Sequence, residues 1–277
     1  MQRIFVFTGK ALGLTGLFIV LRYMLGLSVW KLAGVEQPLN LPYYKGIISL
    51  AFLLATIGVF SIFPPRRLRK LLLARPEKLG LPGPAPGFRQ LLRNPRWPVS
   101  RNQWRMIADW LLLLAFPMAL LAFWHESTVI AFRIFPIDGH LRTLYEYSEE
   151  LLYPQGNALD TFGAYWTIAI VAPVCTELFF RGLLLSLGME TANLSRKPTA
   201  VMWYAIIFQT ILYAFSNLNP WEIVTGIPLG LIFGYLRVRM ASILVPAMLH
   251  VLFSSIKISN TYFWPEAPFL LNRPDGI

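Results

Sequence analysis

Seven apolar runs, each near or above the ~18 residues that let a helix cross a bilayer, decide what this chain can become. They fall at about 5–30, 44–63, 107–131, 163–187, 200–217, 222–238 and 241–262. In hydrocarbon every backbone N–H and C=O must find a partner within the chain, which leaves helices and closed barrels. Runs of this length without strand-like alternation are helical. The expected fold is therefore all-α, a polytopic helical membrane bundle of about seven transmembrane helices. Only 14% of the 277 residues are charged, where a soluble domain carries about 25%. The stretch from Ala11 to Trp30 holds Arg22 and lacks a small-x-small cleavage pattern. It is expected to be the first span rather than a cleaved signal. The fifth and sixth runs are short and are expected to tilt or to lie partly inside the bundle.

The net charge of +11 is concentrated: eleven Lys/Arg lie between Arg66 and Arg105, where Glu77 is the only acid. A basic block at the edge of an apolar run marks the cytoplasmic side and attracts anionic lipid, so nucleic acid is not an expected partner. With the N-terminus inside, seventeen Lys/Arg fall in cytoplasmic segments and six on the opposite side. The loop from Arg133 to Asp160 also carries five acids. The chain is expected in the inner (plasma) membrane, N-terminus cytoplasmic and C-terminus on the opposite side. Pro64 and Pro65 end the second run, and residues 66–75 have the pattern of a basic amphipathic helix on the membrane surface. The stretch from Leu81 to Gly87, with three prolines, is no helix. The organisation is then an N-terminal membrane region, 1–160, containing the basic cytoplasmic segment 64–106, a core at 161–263 and a tail at 264–277.

The C-terminal apolar half contains a few polar residues. Glu177 and Arg181 stand at i, i+4 on one helix face, close enough to pair. Read alone, such a pair is equally a structural lock on helix rotation or part of a polar site inside a bundle. His250 and Ser254 share the same spacing, and Asn217 ends the fifth run. Cys175 is the only cysteine, and His125, His140 and His250 show no ligand spacing, so no metal or other cofactor is expected. Gly226, Gly230 and Gly234 form a smooth stripe for close helix packing inside the bundle. No inverted repeat of the transporter kind is present.

Taken in order, three of these stretches resemble the motifs of the membrane-embedded CAAX-protease and bacteriocin-processing (CPBP, or Abi) family, which includes the type II CAAX prenyl endopeptidases. That family carries Glu-Glu-x-x-x-Arg, Phe-x-x-x-His and His-x-x-x-Asn on successive spans. Here Thr176-Glu-Leu-Phe-Phe-Arg181, Tyr213-Ala-Phe-Ser-Asn217 and His250-Val-Leu-Phe-Ser254 stand in their places, and the resemblance covers about residues 165–256. It implies that Glu177, Arg181 and His250 match catalytic-site positions, and that Thr176, Asn217 and Ser254 replace the first Glu, the second-motif His and the third-motif Asn. In the family the first Glu and the second-motif His are thought to activate the attacking water. Neither threonine nor an amide can be a general base at neutral pH. Glu177 lies roughly 100° further round the helix and is expected to pair with Arg181 instead. The expected function is therefore a CPBP-fold membrane protein without proteolysis, a binding or scaffold subunit holding a membrane-protein partner or hydrophobic peptide among membrane lipid. The alternative is an active intramembrane endopeptidase with a rearranged site. The spacing leaves one tension: Asn217 lies ~27 Å along its helix from the cytoplasmic edge and His250 only ~14 Å along its own.

The topology is checked with single cysteines at Ser100 and Ser148. A membrane-impermeant thiol reagent applied to intact cells is expected to label the second and spare the first; the reverse pattern inverts the orientation.

Overall fold

Prolines and a turn set the ends of the helices. The computed structural model describes residues 2–32, 44–72, 74, 115, 118–123, 127, 158–217 and 220–263. Among the described residues there are helices and no strand. They are α1 (Gln2–Leu32), α2 (Tyr44–Ser61), α3 (Pro65–Leu72), a long α4 over 158–193, α5 (Pro198–Phe215), α6 (Pro220–Met240) and α7 (Leu244–Phe263). Among the described residues four helices have the length and apolarity to cross a membrane, or five if α2 and α3 count as one broken span. The apolar part of α7, Leu244–Ser259, is shorter. Most of the expected run at 107–131 lies outside the described residues, as do the segment 75–106, the loop 132–157 and the tail from 264. The all-helical membrane architecture stands; the expected count of seven does not follow from the described helices.

The central element is α4. Of its most apolar window 72% is buried, against 22% for α1. It is also longer than the 163–187 read from hydropathy, because its polar last turns continue the helix to Asn193. Two of its segments, Tyr165–Val171 and Glu177–Leu184, are wound as π-helix. There the chain reaches back five residues, from the Ala172 N–H to the Thr167 carbonyl and from the Leu185 N–H to the Phe180 carbonyl. The first wide segment runs up to Pro173, which has no N–H to give and whose ring crowds the preceding turn. Wide turns of this kind re-aim side chains and recur at functional sites.

Outer helices meet α4 through stripes. On α1, Phe7, Ala11, Thr15 and Phe18 are buried, a helical period, while Phe5, Leu12, Val20, Met24 and Leu27 face outward, as lipid contact requires. Phe18 stacks on Phe179 at 4.3 Å between ring centroids. Hydroxyl pairs stitch the helices where apolar contact adds little inside lipid: Ser49 with Thr167 at 2.7 Å and Tyr165 with Ser259 at 2.6 Å.

The glycine stripe of α6 packs on α5, inside the bundle as expected. A Cβ at Gly230 would stand 2.7 Å from Thr210 Cγ2, and one at Gly234 would stand 2.7 Å from Gln209 Nε2. Gln209 Nε2 donates to the Gly230 carbonyl at 3.1 Å, a bond that only this close approach allows. Ala241, at φ 48°, takes the left-handed conformation that turns α6 into α7.

The basic segment after Pro64 does form an amphipathic helix, α3, bent 111° from α2. The Pro64 carbonyl accepts from the Arg67 and Leu68 N–H groups at 2.8 and 2.9 Å, opening the helix. Leu71 is fully buried, and Leu72 Cδ2 lies 2.9 Å from where a Gly182 Cβ would be. The far end is held by Arg237, whose Nη2 donates to the Leu72 and Ala74 carbonyls at 3.1 Å each. Arg237, one of the seventeen charges counted on the cytoplasmic side, lies within α6 and is fully buried.

Gly230→Ala is expected to lower the thermal unfolding midpoint, at a cost of about 1–3 kcal/mol for overpacking. Gly16→Ala, where a Cβ meets nothing within 4 Å, is the matched control and should leave the midpoint in place; equal effects would show that the α5–α6 contact is loose.

Candidate functional site

Four helices bring their side chains together around Glu177. The wide turn beginning at Glu177 points this carboxylate inward, where Glu177 and Arg181 are both 0% exposed. Arg181 Nη1 stands 3.0 Å from Glu177 Oε1, as the i, i+4 spacing predicts. The pair is an ion contact rather than a directed hydrogen bond, since among the described residues Nη1 aims no N–H at a partner. From α7, His250 Nδ1 lies 2.8 Å from the same Oε1. A carboxylate oxygen accepts, so in this contact the imidazole Nδ1–H is the donor.

Aromatic rings and one carbonyl complete the surroundings. The guanidinium sits 4.4 Å from the Tyr213 ring centroid of α5 and 5.8 Å from that of Phe233 of α6. Those two rings also flank His250, at 6.3 and 5.4 Å. Arg181 Nη2 donates to the Leu229 carbonyl at 3.4 Å, the limit of a hydrogen bond. Glu177 Oε2 and Arg181 Nε are buried and have no hydrogen-bond partner among the described residues. Cation–π contact and desolvation strengthen the remaining interactions.

The replaced positions lie differently. Thr176 is buried and its hydroxyl turns back on its own helix, to the Ala172 carbonyl at 2.7 Å and the Pro173 carbonyl at 2.9 Å. Asn217 stands in the turn after α5, its N–H on the Ala214 carbonyl at 3.4 Å. Just before it, the Ser216 carbonyl accepts from Arg22 Nη2 of α1 at 2.8 Å. Ser254 is half-buried on α7. Among the described residues no hydrogen bond joins Asn217 or Ser254 to the Glu177 cluster. The depth tension is met by Tyr213, one helical turn before Asn217, which is the part of α5 level with His250. Sequence reading quotes Tyr213 only as a motif letter and gives Phe233 no part; the cue available was an aromatic one turn before a polar helix end. Glu177 and His250 are two groups of metal-ligand type, and among the described residues no group of three His, Cys, Asp or Glu gathers.

Breaking one partner of a buried ion pair costs about 3–5 kcal/mol, because the other charge is stranded. Glu177→Gln and Arg181→Met are each expected to lower the melting temperature or the yield, and the double change to restore part of the loss. Single changes without effect would mean that the pair does not hold the bundle.

Comparison with known proteins bears on the same stretch. Residues 158–256 match the family model described as type II CAAX prenyl endopeptidase Rce1-like. No curated protein and no solved structure matches the chain. The match includes Glu177, Arg181, Tyr213, Phe233 and His250, every side chain of the cluster. The segment 158–256, around which the described helices are arranged, is thus the part of the chain similar to the Rce1-like type II CAAX prenyl endopeptidases.

Proposed function

We propose that this is an Rce1-like membrane protein that has lost hydrolysis and acts by binding, as a subunit that holds a hydrophobic peptide or a partner membrane protein. The supporting observation is where the acid–base groups are committed. Glu177 is fully buried, in contact with Arg181 and His250. The Thr176 hydroxyl, where the family has its first Glu, is bonded to its own helix. Water activation by a general base contributes about 10²–10⁴ in rate, and neither position supplies one. The proposed orientation, cytoplasmic N-terminus in the inner membrane, rests on the charge asymmetry of the connections.

A second reading draws on one contact. Glu177 fixing His250 Nδ1 at 2.8 Å is the kind of carboxylate–imidazole pair that orients a base, with Nε2 left to take a proton. In that reading the chain is an active endopeptidase with a rearranged site.

Purified protein in liposomes is assayed against a farnesylated peptide ending in a CAAX sequence. Wild type and His250→Ala are both expected to give no cleavage above a mock preparation. Cleavage by wild type that is lost in His250→Ala overturns the binding reading in favour of the second.

A further inference from the structure

The end of the bundle where α3 lies gathers cations from separate parts of the chain. Arg3 of α1 donates from Nη1 to the Leu194 carbonyl at 2.7 Å, beside the turn that carries Arg196 and Lys197. Arg67 of α3 reaches Glu190 Oε2, in the last turn of α4, at 3.2 Å. These two contacts join the start of α1, the α4–α5 turn and α3 into one rim. Arg66, Arg69, Lys70, Arg196 and Lys197 are exposed there. Among the described residues Glu190 is the one acid on this rim, and it is already paired with Arg67.

We propose that this rim is a docking surface for anionic phospholipid headgroups, with α3 lying at headgroup depth. Three observations select that occupant. First, α3 begins four residues after α2 ends at Ser61, which keeps it within reach of the membrane surface. Second, its 111° bend turns it across the bundle instead of along it. Third, its sides are sorted: Leu71 is fully buried and Leu72 presses on Gly182, while Arg66, Arg69 and Lys70 point out. With its apolar side taken up by the core, the helix leaves its cations facing out at the level of the headgroups. Arg237 holds the carbonyls of Leu72, the last residue of α3, and of Ala74 just beyond it at 3.1 Å, so the cations are presented from a fixed helix. Each cation at an anionic surface is worth about fivefold in affinity. The inference does not depend on whether the Glu177 site is catalytic.

The test uses the full-length protein in a neutral maltoside detergent, supplied with equal amounts of phosphatidylglycerol and phosphatidylcholine of the same acyl chains. Retained lipid is identified by native mass spectrometry. Wild type is expected to retain phosphatidylglycerol over phosphatidylcholine by about tenfold or more. The exposed triple variant Arg66→Gln, Arg69→Gln, Lys70→Gln is expected to lose on the order of 10² in phosphatidylglycerol affinity, with phosphatidylcholine unchanged. Equal retention of both lipids by wild type, or a preference that survives in the triple variant, overturns the proposal.

Discussion

A carboxylate, a guanidinium and an imidazole meet in the interior of this bundle, and the surrounding structure is arranged to make that meeting tolerable. Removing each ion from water costs several kcal/mol, which a single contact seldom repays. Arg181 therefore collects a Glu177 oxygen, the Leu229 carbonyl and the Tyr213 ring face. His250 adds a second neighbour to the same carboxylate oxygen. Among the described residues Glu177 Oε2 and Arg181 Nε have no hydrogen-bond partner. A pair selected for stability alone would be matched or bettered by apolar side chains of similar volume. The polar centre on this π-wound helix is therefore held by position rather than by full hydrogen bonding.

The helices that carry these groups approach closely because their contact faces are small. Gly230 and Gly234 let the α6 backbone come within hydrogen-bonding reach of Gln209 on α5. That closeness brings Tyr213 and Phe233 against the same imidazole. In lipid there is no hydrophobic force to push helices together, so packing and polar contacts do this work. The glycines thus contribute to the site without touching it, by setting how far apart its aromatic walls stand.

What the sequence reveals follows the range of each interaction. The Glu177–Arg181 pair is legible because both partners lie on one helix face four residues apart. The glycine stripe and the amphipathic pattern of α3 are legible for the same reason: each is a periodicity within one element. The contact of His250 with Glu177 is suggested by motif order but not by helix depth, since depth depends on how α5 and α7 are set in the bundle. The role of Arg237 is invisible to sequence reading, because its partners are backbone carbonyls, which every residue possesses. The reach of α4 to Asn193 is likewise missed, since hydropathy marks where a helix leaves hydrocarbon rather than where it stops being helical.

The clasp of Arg237 on α3 also has a timing. The guanidinium and the carbonyl it holds at Leu72 are 165 residues apart in sequence. At a ribosomal rate of about 5–20 residues per second, α3 emerges roughly 10–30 s before its clasp exists. During that interval α1 and α2 are already made, while the glycine on which Leu72 rests, Gly182, is still to come. The newborn α3 must keep its leucines out of water by another route, and the lipid surface beside it is the nearest apolar phase.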